Sequence, residues 1–149
     1  MTDFAIATQI LVDGPRNTVA KTTGNFPTAT PPGTTTILDP SLLSDMNPGM
    51  SGAKLATLLR VDHIDYAITD GVLVQLLWDA TTPVPIVELY GRGKLEAKMW
   101  GGYQNNAGAG VTGKILMSVL STSASFPTET SLLLVMACVK YRPISAGGV

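Results

Sequence analysis

The feature that most constrains the fold is a pair of strand-forming runs between Ile64 and Trp78 that meet at Asp70-Gly71. An Asp-Gly pair supplies the positive φ angles of a type I′ turn, whose twist matches that of two flanking antiparallel strands. The sequence therefore predicts a β-hairpin at this turn. Its expected cross-strand pairs are Thr69 with Val72, Ile68 with Leu73, Tyr66 with Gln75, and Ile64 with Leu77.

The two faces of this predicted hairpin differ in composition. The face expected to seal the core consists of Ile64, Tyr66, Ile68, Leu73 and Leu77. The opposite face consists of His63, Asp65, Ala67, Val74, Leu76 and Trp78. The second strand is thus apolar on both faces, which is typical of a strand covered on both sides by its own fold or by another chain.

Strand patterns also dominate the rest of the chain, and no segment has the pattern of a three-turn amphipathic helix. Turn signals recur at a spacing of about 8–12 residues, which predicts an antiparallel β-sandwich or a barrel of about eight strands. In the run from Lys94 to Met99, alternation places Leu95, Ala97 and Met99 on one face. The other predicted strands cover 4–12, 16–23, 34–38, 86–90, 114–120 and 130–141, and residues 55–62 lead into the hairpin.

The chain of 149 residues is expected to form a single domain over 1–149, with an extended N-terminal segment. A Pro/Thr/Gly-rich excursion over 25–54 interrupts the strand pattern. Within it, Asp39 as N-cap and Pro40 at the first helical position predict one short helical turn near 40–46. If the excursion lies over a neighbouring molecule, its apolar anchors are Leu42, Leu43 and Met46.

Charge and cysteine content narrow the possible functions. Charged residues make up 14% of the chain, against about 25% in typical proteins, and the formal net charge is −1. Nucleic-acid binding is therefore not expected, whereas a surface with so few charges favours permanent assembly with a partner. One cysteine and one histidine exclude an internal disulfide and a Cys/His metal cluster, and Cys138 is expected to be a buried thiol.

No targeting signal or membrane span is evident in the sequence. The first residues lack a basic region followed by an apolar segment, and no apolar run reaches the length of about 18 residues that a transmembrane helix needs. Synthesis in a reducing cytoplasm is expected.

A glycine-rich segment matches two nucleotide-binding patterns. Gly108, Gly110 and Gly113 fit G-x-G-x-x-G, and the segment through Lys114 fits the start of a phosphate-binding loop. Both motifs need a strand before them and a helix after them. The preceding residues are polar, and Ile115 stands where Ser or Thr would ligate magnesium, so a plain glycine-rich loop is predicted.

His63 lies among carboxylates but lacks a nucleophile. On a regular strand, Asp62 and His63 point to opposite faces, whereas His63 and Asp65 share a face and can hydrogen-bond. No Ser or Cys is paired with them by sequence, so a solvated or interfacial histidine is expected and the chain is predicted not to be an enzyme. Asp65 is expected to pair with Arg60 or Lys54 on the surface.

The aromatic residues divide into core and loop positions. Trp78 is predicted to lie in the core, whereas Trp100 and Tyr103 belong to the glycine-rich loop 100–113. Two interpretations of the loop pair stay open: the rings fold back under the loop, or they anchor a partner.

Four segments together carry a family resemblance. They are Gln9-Ile-Leu-Val-Asp-Gly-Pro-Arg-Asn17, the Ile64–Trp78 stretch with Asp79-Ala80, Gly91-Arg-Gly-Lys94, and Trp100-Gly-Gly-Tyr-Gln-Asn-Asn-Ala-Gly-Ala-Gly110. In combination they resemble a family of small tailed-bacteriophage virion proteins that are encoded with the head genes. Members are mostly described as structural or capsid-decorating. The resemblance covers much of residues 9–120 and leaves out 25–54.

This resemblance implies a β-sandwich or jelly-roll module that assembles with other chains, with no active-site residues to transfer. We therefore expect a non-enzymatic virion protein that stabilises a capsid shell as a decoration (cement) protein. Its expected partners are the major capsid protein and copies of itself, with a trimer as one option. No cofactor, metal, nucleic acid or membrane is expected, and the location is the virion. The expected assembly contacts are Leu42, Leu43, Met46, Trp100 and Tyr103.

Two alternatives remain open at this point. A head–tail connection component fits the same resemblance. A carbohydrate- or receptor-binding sandwich fits the loop composition, with a polar-aromatic platform of Trp100, Tyr103, Gln104, Asn105 and Asn106.

Overall fold

The strands of this chain pair in a nested order: early strands pair with late strands, and the strands between them pair with one another. The computed structural model describes residues 5–14, 16–26, 33–43, 58–121 and 130–141. The strands within these ranges are β1 (Ala5–Asp13), β2 (Asn17–Phe26), β3 (Gly33–Leu38), β4 (Leu58–Ile68), β5 (Val72–Trp78), β6 (Val84–Tyr90), β7 (Arg92–Glu96), β8 (Ile115–Ser121) and β9 (Thr130–Tyr141). Two 3-10 turns, Pro40–Leu42 and Lys98–Trp100, follow β3 and β7.

The nesting produces a jelly-roll sandwich. β2 pairs with β9, β3 with β8, β4 with β7 and β5 with β6. Further pairing of β4 with β9 and of β5 with β8 completes two antiparallel sheets. Their strand orders are β1-β2-β9-β4-β7 and β3-β8-β5-β6, so that β1 is an additional strand outside β2. The predicted all-β antiparallel sandwich of about eight strands is confirmed.

The core lies between the two sheets and follows the period of two along each strand. From β5 it receives Val72, Val74, Leu76 and Trp78, whose exposed fractions are at most 1%. Ile64 and Ile68 of β4 pack against them from the five-stranded sheet. Each such side chain contributes about 1.5–3 kcal/mol through burial. The predicted core position of Trp78 is confirmed.

The predicted hairpin at Asp70-Gly71 is wrong, although the turn itself is present. Gly71 has a φ of 88° and the Val72 N–H donates to the Thr69 carbonyl at 3.3 Å. The flanking strands then enter different sheets, because β4 is occupied on both edges by β9 and β7, and β5 by β8 and β6. Leu73 and Leu77 consequently lie half-buried on the outer face of β5 instead of facing Ile68 and Ile64.

β9 is the strand that sequence analysis located best, and it occupies the centre of the five-stranded sheet. Its bounds, Thr130–Tyr141, are those predicted, and it pairs along its length with β2 and β4. Cys138 is fully buried within it, as expected, and burial raises the pKa of the thiol to about 12. The apolar side chains of β9 face outward as well, and Leu133 is exposed.

Two local expectations are met only in part. The helical turn predicted near 40–46 is present as the 3-10 turn Pro40–Leu42. Residues 27–32 and 44–54 of the excursion lie outside the described residues, and they include the end of the predicted turn. The strand predicted over 94–99 ends at Glu96, and the second 3-10 turn carries Met99 outward. Met99 therefore does not share a buried face with Leu95 and Ala97, because a 3-10 turn breaks the alternation of a strand.

A fully buried lysine joins the two ends of the described chain. The Lys140 ammonium donates to Asp13 Oδ1 at 2.5 Å and to the Gly14 carbonyl at 2.6 Å. The Lys140 backbone N–H donates to the Arg16 carbonyl at 2.7 Å. These bonds hold the turn between β1 and β2 against β9, which is a long-range contact made by charged rather than apolar groups.

Asp13→Asn is expected to lower the free energy of unfolding by about 3 kcal/mol, because it removes the carboxylate from a buried ammonium. Lys140→Met is expected to cost less, since Asp13 remains partly exposed and can be hydrated. Urea denaturation of both variants measures the difference. Equal losses, or no loss for Asp13→Asn, would contradict the role assigned to this ion pair.

Candidate functional site

Exposed apolar side chains are concentrated at one end of the sandwich. Among the described residues, ten large hydrophobic side chains are exposed, and seven of them lie where β1, β3, β5 and β7 end and β8 begins. We call these seven the apolar end: Ile10, Leu11, Val12, Leu42, Met99, Trp100 and Val111. Isolated exposed apolar residues are ordinary, whereas several at one end make that end a candidate interaction surface.

Contacts between the sheets show that these positions belong to one end of the molecule. Tyr103 forms an isolated β-bridge with Val61 of the five-stranded sheet, and it lines a cavity of about 190 Å³ together with Trp78 and Pro85 of the four-stranded sheet. On the other side, Ile10 of β1 and Leu42 line a second groove, of about 170 Å³. The loops that carry these side chains therefore lie at the same end of both sheets, in two groups that line separate cavities.

The first 3-10 turn points two of the predicted anchors, Leu42 and Leu43, in different directions. Asp39 caps the turn by accepting hydrogen bonds from the Ser41 backbone N–H at 3.0 Å and the Ser41 hydroxyl at 2.7 Å. Leu42 points outward with 82% of its surface exposed, whereas Leu43 is only 5% exposed and packs in the core. Leu42 therefore remains a candidate contact and Leu43 does not. Met46 lies outside the described residues.

The second 3-10 turn presents the aromatic pair. Trp100 is 61% exposed, and its ring meets that of the half-buried Tyr103 edge-on, with centroids 4.9 Å apart and an interplanar angle of 89°. Such an edge-to-face contact is worth about 0.5–1.5 kcal/mol and fixes the orientation of the Trp100 ring. Tyr103 packs beneath the loop, as one interpretation predicts, whereas Trp100 faces solvent and remains a candidate contact.

The perpendicular rings do not form the flat platform considered for carbohydrate binding. Asn105, a proposed member of that platform, is used within the loop: its Oδ1 accepts from the Ala107 N–H at 3.0 Å, and its own N–H donates to the Tyr141 hydroxyl at 3.2 Å. Asn105 therefore helps to order the loop, whereas Gln104 and Asn106 are exposed.

A β-bulge at Asp62 shapes the base of this loop. Val61 faces Cys138 and His63 faces Ala137, which leaves Asp62 as the extra residue of β4. Asp62 accepts from Arg60 Nε at 2.7 Å and from Arg60 Nη2 at 3.0 Å. The bulge reorients the side chains so that Asp62 and His63 line the same cavity, which corrects the expectation of opposite faces.

His63 is held between two carboxylates. Its Nε2 lies 3.0 Å from Asp65 Oδ2 and its Nδ1 lies 2.5 Å from Glu96 Oε1. The hydrogen bond to Asp65, followed by that to Glu96, raises the pKa of His63 above its ordinary value against an opposing effect of desolvation. Asp65 thus pairs with His63 and Arg60 with Asp62, so the predicted Arg60–Asp65 pair is wrong. The alternative partner, Lys54, lies outside the described residues.

This histidine cluster offers a charged groove rather than a recognisable reaction centre. The cavity beside it has a volume of about 320 Å³, and its lining includes Asn17, Glu96 and Lys98. Cys138 lies beneath it as a buried thiol whose raised pKa makes it a poor nucleophile. No set of three or more His, Cys, Asp or Glu side chains in the described ranges is placed to hold a metal ion.

The glycine-rich segment takes the loop conformation that was predicted. Gly110 and Gly113 have positive φ angles, and strand β8 rather than a helix follows at Ile115. The anion-binding helix N-terminus that both nucleotide motifs require is therefore missing from this position. The segment is instead fastened to β5, since the Asp79 N–H donates to the Lys114 carbonyl at 3.0 Å.

Besides Met99 and Val111, sequence reasoning missed three consecutive members of the apolar end, Ile10, Leu11 and Val12. They were predicted only as part of a strand, whereas the structure exposes all three at the edge of the sheet. Three consecutive apolar residues were the available signal, because alternation must turn at least one of them toward solvent.

Comparisons with known proteins add no relative. No family model, curated protein or solved structure significantly matches this chain. Helices that could cross a membrane are likewise lacking from the part of the chain that the structure describes.

Gly102→Ala should destabilise the protein more than Gly101→Ala. Both glycines have positive φ angles, which cost other residues about 1–2 kcal/mol. A Cβ at Gly102 would also collide with Asp62 Oδ1 and approach Arg60 Cγ to 2.8 Å, whereas a Cβ at Gly101 meets open space. Thermal unfolding of both variants gives the comparison, and equal losses would show that the Arg60–Asp62 pair shifts without cost.

The pH dependence of stability should reveal His63, the only histidine in the chain. Because its folded-state pKa is raised above the ordinary 6.5, its contribution is fully present below about pH 6.5 and is lost as pH rises through the folded pKa. As the pH rises through this folded-state pKa, the free energy of unfolding should fall by up to about 1 kcal/mol. His63→Gln serves as the matched reference in urea titrations, and an identical pH profile would refute the assignment.

Proposed function

We propose that this chain is a non-enzymatic virion structural protein that binds and stabilises a bacteriophage capsid shell as a decoration (cement) protein. The observation that carries the proposal is the apolar end, where seven of the ten exposed large hydrophobic side chains of the described residues gather. A surface of this kind suits lasting attachment to another protein better than turnover of a small substrate.

The composition of the apolar end resembles that of a protein interface. Trp100 is a large exposed aromatic residue, the type most often found at the energetic centre of an interface. Arg16 and Arg60 line a cavity of about 210 Å³ together with Tyr141. Arginine, like the aromatic residues, is enriched at protein interfaces relative to the rest of the surface.

The physical mechanism would be the cross-linking of capsid subunits. A protein that binds only the assembled shell shifts the equilibrium toward assembly by mass action. Several modest contacts on one shell reinforce each other through effective concentration. The fold suits this task because the nested strand pairing gives the apolar end a rigid base.

Binding to capsid shells that lack this protein tests the proposal. Purified chain should saturate such shells in many copies, as seen by electron microscopy. Density confined to the tail vertex would favour a head–tail connection component instead. Binding to glycans without binding to shells would overturn the proposal.

Trp100→Ala should weaken shell binding by about tenfold or more, because it removes the largest anchor of the apolar end. Unfolding of the isolated chain should change by no more than about 1 kcal/mol, since the ring loses mainly its contact with Tyr103. The matched control is Tyr90→Ala, which removes an exposed aromatic side chain remote from the apolar end. Equal effects of both variants on binding would argue against the apolar end as the contact.

A further inference from the structure

The four edges of the two sheets are protected to different degrees. β7 carries the charged residues Arg92, Lys94 and Glu96, and β6 carries Pro85 and Glu88. β3 is a short strand of six residues with an irregularity before Leu38. Charge, proline, brevity and bulges are the devices by which edge strands avoid pairing with other chains.

β1 has few of these devices. It extends over nine residues, and within the described part of the chain it pairs only with β2. It contains no Lys, Arg or Pro, and its only charged residue is Asp13 at the end. A bulge at Leu11 interrupts its register, so the regular part of the edge lies before that residue.

From this comparison we propose that β1 pairs antiparallel with β1 of a second copy of this chain, about a two-fold axis. The axis would lie at Thr8, which keeps the contact within the regular part of the strand. Paired side chains then share a face of the joined sheet, as an antiparallel ladder requires. The pairs are Ile6 with Ile10, Ala7 with Gln9, and Thr8 with Thr8, and the first two occur twice.

The two faces of β1 suit this arrangement. Ile6, Thr8 and Ile10 face the interior of the sandwich, because they pair with Gly24, Thr22 and Ala20 of β2. Beside them lies the apolar groove of about 170 Å³ between β1 and the first 3-10 turn, with Leu42 exposed on its wall. The partner's strand would continue the sheet over this groove, so that its Ile6 and Ile10 cover Leu42. Met99, Trp100 and Val111 of the apolar end would then remain for the shell contact.

The occupant is a second copy because β1 is self-complementary. A two-fold axis brings each residue against a residue of the same segment, and a charged segment would then repel itself. Residues 5–12 contain no charge, so no such repulsion arises. The apolar Ile6 meets the apolar Ile10, and the polar Gln9 stays with Ala7 on the solvent side.

The double variant Ala7→Lys, Gln9→Lys tests the contact, because it places like charges at directly opposed and exposed positions. Sedimentation velocity should show a dimer for the native chain and at least about a tenfold rise in the dimer dissociation constant for the variant. The matched control, Thr23→Lys with Asn25→Lys, adds the same charge to the same face one strand inward. The control should remain a dimer.

A charge-reversal variant tests the register itself. Ala7→Lys with Gln9→Glu opposes unlike charges across the axis and should restore dimerisation. A native chain that is monomeric, or one with the mass of three copies, would overturn the proposal, as would a lysine double variant that still dimerises. Circular dichroism of each variant confirms folding. Since the measurement uses the isolated chain, its outcome is independent of whether the protein binds capsid shells.

Discussion

Pairing between distant parts of the chain is the constraint on which the rest of the structure depends. Asn17 in β2 faces Val139 in β9, so that the first and last regions of the described chain meet in the middle of one sheet. Closing such a long loop costs entropy before any contact is gained, which makes folds of this type slow to form. The Asp62 bulge and the contacts of Lys140 both depend on the pairing of β9 with its neighbours.

Sequence patterns located the strands but not their partners. β9 could be bounded correctly because a long apolar run lies between Pro127 and Pro143. Trp78 lies in the core as predicted, although the expected hairpin register had put it on the face opposite Leu73 and Leu77. Asp70-Gly71, by contrast, led to a wrong prediction of strand pairing. A local signal specifies a turn, whereas the pairing of the strands on either side of it is decided by long-range contacts that no short window contains.

The candidate site was predictable to a similar extent. Trp100 and Leu42 could be proposed because apolar side chains in Gly-rich or Pro-rich segments have few places to pack. The separation of Leu42 from Leu43 depends on the geometry of the 3-10 turn, which the sequence indicated only through Asp39 and Pro40. The position of β1 beside Leu42 could not be predicted, because it depends on how the two sheets pack against each other.

Burial of the only cysteine has a practical consequence. Cys138 lies at the centre of the five-stranded sheet, and its raised pKa suppresses the thiolate form that reacts with labelling reagents. Modification must wait until β9 separates from β2 or β4, an event close to global unfolding. The native chain thus carries an internal reporter, and the rate of thiol labelling follows how often the sandwich opens, alone or bound to a partner.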